Sequence, residues 1–245
     1  MRVSRALVPL VALLVVSFPV EGSAAVAAAP QRTTIRGEQQ YHTGIYTDHI
    51  GPRVPNDRVG FAGRLLSAKG KPIPNETLTL QRRLRGQRSW TAIDKMRTGK
   101  AGSARPGWAI FHTNVVGNGR YRVRYAGDAK HAPSHSAPMR LRAMRDLNAR
   151  LVQRGKGTHK KAFLRGNVNP GWAGKPIIWQ RKKCRTCHWR NIAHRRTSPK
   201  IARWRFRGAY PPLHHTWFFR AKVRRTDRFV ASYSRILRTR SVKTG

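Results

Sequence analysis

Apolar positions in this chain alternate with polar ones in short runs, and no window sustains a 3.6-residue period. Trp204 and Phe206 alternate with Arg203, Arg205 and Arg207, while Ala221 and Val223 alternate with Arg220, Lys222 and Arg224. A period of two sends the two sets of side chains to opposite faces of a strand. Runs of this kind, separated by Gly, Pro and Asn turns, predict first-half strands over 43–46, 59–66, 76–83, 89–96, 108–114, 120–126 and 138–143. In the second half they predict strands over 149–153, 161–167, 177–183, 188–194, 203–208, 216–224 and 231–238.

The two lists match because the chain repeats itself. Gln81, Arg82, Arg83, Trp90 and Ile93 return ninety-nine residues later as Gln180, Arg181, Lys182, Trp189 and Ile192. A second block, Tyr121 to Tyr125, returns ninety-eight residues later as Phe219 to Val223, with Ser134 and Ser136 returning as Ser232 and Ser234. Seven short strands per ~100 residues is the pattern of an immunoglobulin-like sandwich. The expected fold is all-β, two tandem immunoglobulin-like β-sandwich modules over 43–145 and 146–245. Each half carries its own strand set and is expected to fold alone. The repeated Trp90 and Trp189 are expected at equivalent, buried places.

Composition adds an address and a class of partner. Arg2 and Arg5 precede an apolar run from Ala6 to Val20, and the small residues of 22–29 offer a cleavage site after Ala27. That is the pattern of an export signal, and the run is shorter than the ~20 residues of a membrane span. The expected layout is therefore a signal peptide over 1–27, a flexible lead-in over 28–42 and then the modules, giving a secreted chain without a membrane span, either free or associated with the cell wall. Lys and Arg number 51 against 9 acids, for a formal charge of +42. Such imbalance favours polyanions as partners. Eight Phe, seven Trp and six Tyr, within 39% hydrophobic residues, give the apolar mass that a disordered chain lacks.

The residues Gly63-Arg64-Leu65, Gly70-Lys71-Pro72, Leu78 to Arg82, Trp90, Gly119-Arg120-Tyr121, Tyr125 to Asp128 and Ala132-Pro133-Ser134 resemble the Ig-like repeats of exported actinobacterial proteins. The second module is similar through Gly174-Lys175-Pro176, Trp179-Gln180-Arg181, Trp189, Phe206 and Ala231 to Ser234. The resemblance covers residues 43 to 240 and implies surface modules that act as spacers or adhesive units, rarely enzymes. The second module departs from it. Arg224-Arg225-Thr226 stands where the first has Gly127-Asp128, and it alone carries cysteines.

Those cysteines form Cys184-Arg185-Thr186-Cys187-His188, written like a c-type haem attachment site. A zinc site borrowing His188 and His194 is a second reading. The third is a disulfide at a hairpin tip, since residues flanking a two-residue turn lie within bonding reach and export makes oxidation expected. The disulfide fits best, so neither cofactor nor metal is expected. No nucleophile elbow, zinc-protease, P-loop or EF-hand motif is present in the sequence, and only Asp227 is acidic beyond Asp146. A carboxylate pair in the second module is excluded by that count, and the chain reads as a non-enzyme. His131 and His135 would pair as ligands on a helix, but Ala132-Pro133 breaks one, and they read as solvated loop residues.

Residues 147–245 hold 27 Lys and Arg against that one acid. Arg203, Arg205, Arg207, Arg220, Lys222 and Arg224 are expected to line the outer face of one sheet and to bind an anionic polymer. The function expected is a structural or adhesive surface protein retained by anionic envelope polymers or by another surface protein. The alternative is an extracellular nucleic-acid binder.

Overall fold

The computed structural model describes residues 29–40, 52–154, 161–209 and 216–239. The signal peptide expected over 1–27 and the strand expected over 43–46 lie outside them. The chain is all-β, with no helix among the described residues and so none long and apolar enough to cross a membrane. In the first module the strands are β1 (Thr33–Gln40), β2 (Arg58–Ser67), β3 (Thr77–Leu84), β4 (Thr91–Arg97), β5 (Trp108–Asn114), β6 (Gly119–Tyr125), β7 (Ser134–His135) and β8 (Met139–Leu141). In the second they are β9 (Asp146–Arg154), β10 (Lys161–Asn169), β11 (Pro176–Lys182), β12 (Arg190–Arg196), β13 (Arg203–Ala209), β14 (Phe218–Val223), β15 (Ser232–Tyr233) and β16 (Leu237–Arg238).

Each module is two antiparallel sheets face to face. The first module has a sheet in the order β1-β2-β5 opposite β4-β3-β6-β7, with β8 also on β6. The second repeats this as β9-β10-β13 opposite β12-β11-β14-β15, with β16 on β14. These are tandem immunoglobulin-like sandwiches in which the fourth strand joins the sheet of the third, and the seventh is broken in two. Inward residues of both sheets fill each core. Phe61 stacks on Tyr121 at 4.4 Å between ring centroids, beside Leu65, Leu80, Phe111 and Val123. In the second module Trp179 holds the centre, with Phe206 and Phe219 each 5.6 Å away.

The stretch expected as a flexible lead-in is ordered strand over β1, which pairs along its whole length with β2. Its inward set is Thr33, Ile35, Gly37 and Gln39, so only one large apolar residue marks the buried face. The Thr33 hydroxyl donates to the Ala132 carbonyl at 2.8 Å, and Gln39 Nε2 donates to the Arg140 carbonyl at 3.1 Å. A Cβ on Gly37 would stand 2.8 Å from Ser136 Cβ, so the strand needs glycine to lie this close. Polar anchoring of this kind is invisible to a hydrophobic pattern.

The modules are joined tightly. Phe229, on the loop after β14, is 6% exposed and packs into the core of the first module. Around it the Asn118 N–H donates to the Arg228 carbonyl at 2.7 Å, Asn118 Nδ2 donates to the Asp227 carbonyl at 3.1 Å, and the Val230 N–H donates to the Ala143 carbonyl at 2.8 Å. Gly117, at φ +156°, lies against Arg228 so closely that a Cβ would stand 3.1 Å from its carbonyl oxygen. Arg145, between the modules and 5% exposed, is clasped by the rings of Phe229 and Trp172, 4.1 and 4.3 Å from its guanidinium carbon. Its Nε donates to the Pro170 carbonyl at 3.2 Å.

Candidate functional site

The cationic residues singled out in the sequence are divided by the fold. Arg203, Arg205 and Arg207 lie on β13, in the three-stranded sheet, whereas Arg220 and Lys222 lie on β14, in the opposite sheet, with Arg224 just beyond its end. One ribbon over one sheet, the expectation from the sequence, is therefore incorrect. The chain changes sheets between β13 and β14, and alternation along each strand carries no record of that crossing.

What β13 does assemble is a rung. Arg205 pairs in register with Arg165 on β10, and Arg165 with Arg150 on β9. All three are exposed. Neighbouring strands lie ~4.8 Å apart, and like charges directly opposite one another destabilise a sheet. With Arg203 and Arg235, these residues line an open groove of about 1100 Å³ that also reaches Tyr233 and the single carboxylate Asp146. Arg238 extends the same cationic edge beside Arg150 and Arg165. The sequence reading omitted Arg150, Arg165, Arg235 and Arg238. Arg150 and Arg165 alternate with apolar neighbours as Arg203 and Arg205 do, so that signal was present. Only the folded structure brings the four around one recess.

Arg207 stands on the same face of β13, opposite Phe163 on β10. Phe163, though on the outer face, is buried, and the Arg205 guanidinium covers it at 4.5 Å. Arg205 is thus part of the sheet's packing as well as of the cationic surface.

Arg220 and Lys222 serve a different arrangement. Arg220 lies between Trp189, at 4.2 Å, and Tyr233, at 4.1 Å, and its Nε donates to Gln180 Oε1 at 2.8 Å. Burial lowers its pKa from the ordinary arginine value. Lys182 and Lys222 flank the same rings. The first module builds the same arginine–tryptophan–glutamine unit: Arg122 lies over Trp90 at 4.4 Å with its Nε on Gln81 Oε1 at 2.8 Å, and Arg83 lies over the same ring at 4.8 Å. A register shift follows Leu80 in β3 and Trp179 in β11, setting both glutamines in place.

The two repeated sequence blocks are therefore one structural unit, glutamine and tryptophan from one block and arginine from the other. Trp90 and Trp189 are equivalent but only half-buried on the outer face, not core residues. The buried tryptophan of that hairpin is Trp179, at 3% exposure. Cation–π contacts at such sites contribute about 0.5–2 kcal/mol, so Trp90→Ala and Trp189→Ala are each expected to cost roughly 1–2 kcal/mol in urea denaturation. A loss in the 3–5 kcal/mol range of a core ring would return them to the core.

Cys184 and Cys187 are bonded to each other, with Cα atoms 5.1 Å apart, at the tip of the β11–β12 hairpin. With both sulfurs committed, neither is left for a porphyrin or a metal. The loop closed is short, so the chain-entropy contribution lies below that of the ~3 kcal/mol expected for a 15-residue loop.

No protein-family model matches the chain, and no curated protein matches it. Similar solved structures include the human OSCAR ligand-binding domain, at 14% identity over 85% of this chain and 99% of that one, with TM-score 0.27. Selenomethionine-substituted chicken interferon gamma receptor alpha chain is similar at 7% identity over 77% and 93%, with TM-score 0.42. The FN1–FN3 domains of chicken CNTN1 are similar at 14% over 85% and 65%, with TM-score 0.27. These likenesses concern fold alone and carry no argument about function; the tandem sandwich stands on its own strand order.

Proposed function

We propose that this chain is a non-enzymatic exported protein, structural or adhesive at the cell surface, that binds anionic polymers along the arginine groove of its second module. The observation that carries the reading is the rung of Arg150, Arg165 and Arg205. Three like charges in register, with Asp146 the sole acid lining the groove, are a cost to the free fold that a bound polyanion offsets. The bonded cysteine pair supports an oxidising, extracytoplasmic address. Envelope polymers are favoured over nucleic acid because the rings beside the groove are already engaged by cations, Phe163 under Arg205 and Tyr233 against Arg220. Base stacking, the salt-insensitive part of single-strand binding, would have to compete with those cations for the rings.

The test is binding of the full chain to a poly(glycerol phosphate), to duplex DNA and to single-stranded DNA across a salt series. Similar affinity per charge for all three, falling linearly in log salt, is the expected result. A single-strand preference that survives high salt would move the assignment to nucleic acid. No binding to any of them near physiological salt would remove the groove as a site.

A further inference from the structure

We infer that the end of the first module remote from the second holds a divalent first-row metal ion, with Glu76, Asp128 and His131 as its protein ligands. The site is independent of the arginine groove and uses residues that the sequence reading left as a strand start and a solvated loop. Glu76 directly precedes β3, while Asp128 and His131 lie in the turn after β6. Leu78 pairs with Tyr125, so those two ends of the chain are neighbours. One ligand atom from each of the three residues can be chosen so that all lie within 4.8 Å of one another.

The grouping is unexpected in this chain. Lys and Arg outnumber acids 51 to 9, yet among the described residues neither Glu76 nor Asp128 is ion-paired with a lysine or arginine. Asp128 faces His131 instead, whose Nδ1 is 3.3 Å from the carboxylate. Two carboxylates set together without a cation repel one another.

A second observation points into the same place. Tyr125 is 2% exposed, and its hydroxyl faces the Asp128 and Glu76 carboxylates without a well-formed hydrogen bond to either. A neutral phenol aimed at carboxylates is suited to donate to a ligating oxygen and fix its orientation, the outer role that metal sites commonly require.

One imidazole nitrogen with two carboxylates suits zinc or its first-row neighbours, whereas calcium and magnesium take oxygen alone. The equivalent places in the second module are Lys175, Thr226 and Phe229, so the second module does not repeat the site. An ion there would fasten the 127–131 turn to the start of β3. It would also steady β1, because Gln31 is held by Lys130 and Ala132 through two backbone hydrogen bonds of 2.8 Å.

The test is calorimetric titration of the chelator-treated full chain with zinc, paralleled by cobalt(II) absorption. One equivalent, cobalt bands that zinc abolishes and a raised melting temperature are expected. Glu76→Gln and His131→Gln, both close in shape to the originals, should remove that equivalent, and Tyr125→Phe should weaken it about tenfold. Circular dichroism establishes that each variant is folded. Absence of zinc binding, binding unchanged in the folded Glu76→Gln and His131→Gln chains, or calcium binding without zinc would each overturn the assignment.

Discussion

Phe229→Ala is expected to destabilise the protein by about 3–5 kcal/mol, the usual cost of deleting a buried phenylalanine ring. The loss should fall on the first module although the residue belongs to the second, because the ring fills part of the Phe111 and Tyr121 core. Arg145 loses the ring that clasps it as well. Burial pulls its guanidinium down to about 10, so it remains charged at neutral pH with no carboxylate among its partners. The Trp172 ring, the Pro170 carbonyl and the Thr226 hydroxyl are then left to offset its desolvation. Urea denaturation should show one transition in the parent and two in the variant, as the modules uncouple. A fragment spanning 29–145 should be weaker than the same module within the full chain, and one beginning at 43 weaker again, since it lacks β1. A loss below about 1 kcal/mol with one unchanged transition would mean that Phe229 does not couple the modules.

Replacing Arg150, Arg165 and Arg203 with Ser should lower both the affinity for a polyanion and the slope of log K against log salt. The slope should fall by about 0.9 for each duplex phosphate contact removed. The free protein should be no less stable, because the substitutions relieve repulsion across β9, β10 and β13. Arg205 is left in place, as its loss would uncover Phe163. The comparison is Arg120, Arg140 and Arg142 in the first module, exposed residues that line a smaller basic recess of about 570 Å³. Arg122 is unsuitable there, being held under Trp90. A slope that drops only for the second-module set supports the groove; equal drops mean diffuse charge, and no drop for that set eliminates it.

How much of this was legible in the sequence depended on what each position had to do. Strands with alternating large apolar residues, such as β6 and β13, were plain from periodicity. β1 was missed because threonine, glycine and glutamine form most of its buried face. The cysteine pair was legible because its reach is a property of one turn. The tryptophans were placed wrongly for an instructive reason. Repetition at Trp90 and Trp189 does mark shared packing, but packing on the outside of a sheet, between cations. Sequence spacing alone does not distinguish a ring buried in a core from one buried between guanidinium groups.

The sequence by itself determined two tandem sandwiches, most of their strands, an excess of charge and the hairpin that bears the cysteines. These follow from local alternation, turn chemistry and residue counts, which need no knowledge of what lies across a sheet. Only the tertiary structure decided which charges meet. Strand order sent Arg205 to the rung with Arg165 and Arg150, and Arg220 to the aromatic stack on the far sheet. It also brought Glu76 beside Asp128, and Phe229 into the other module's core. Each of these is a contact between residues distant in the chain, set by register and by the crossing between sheets, and the polar and charged residues involved leave no periodic trace of their partners.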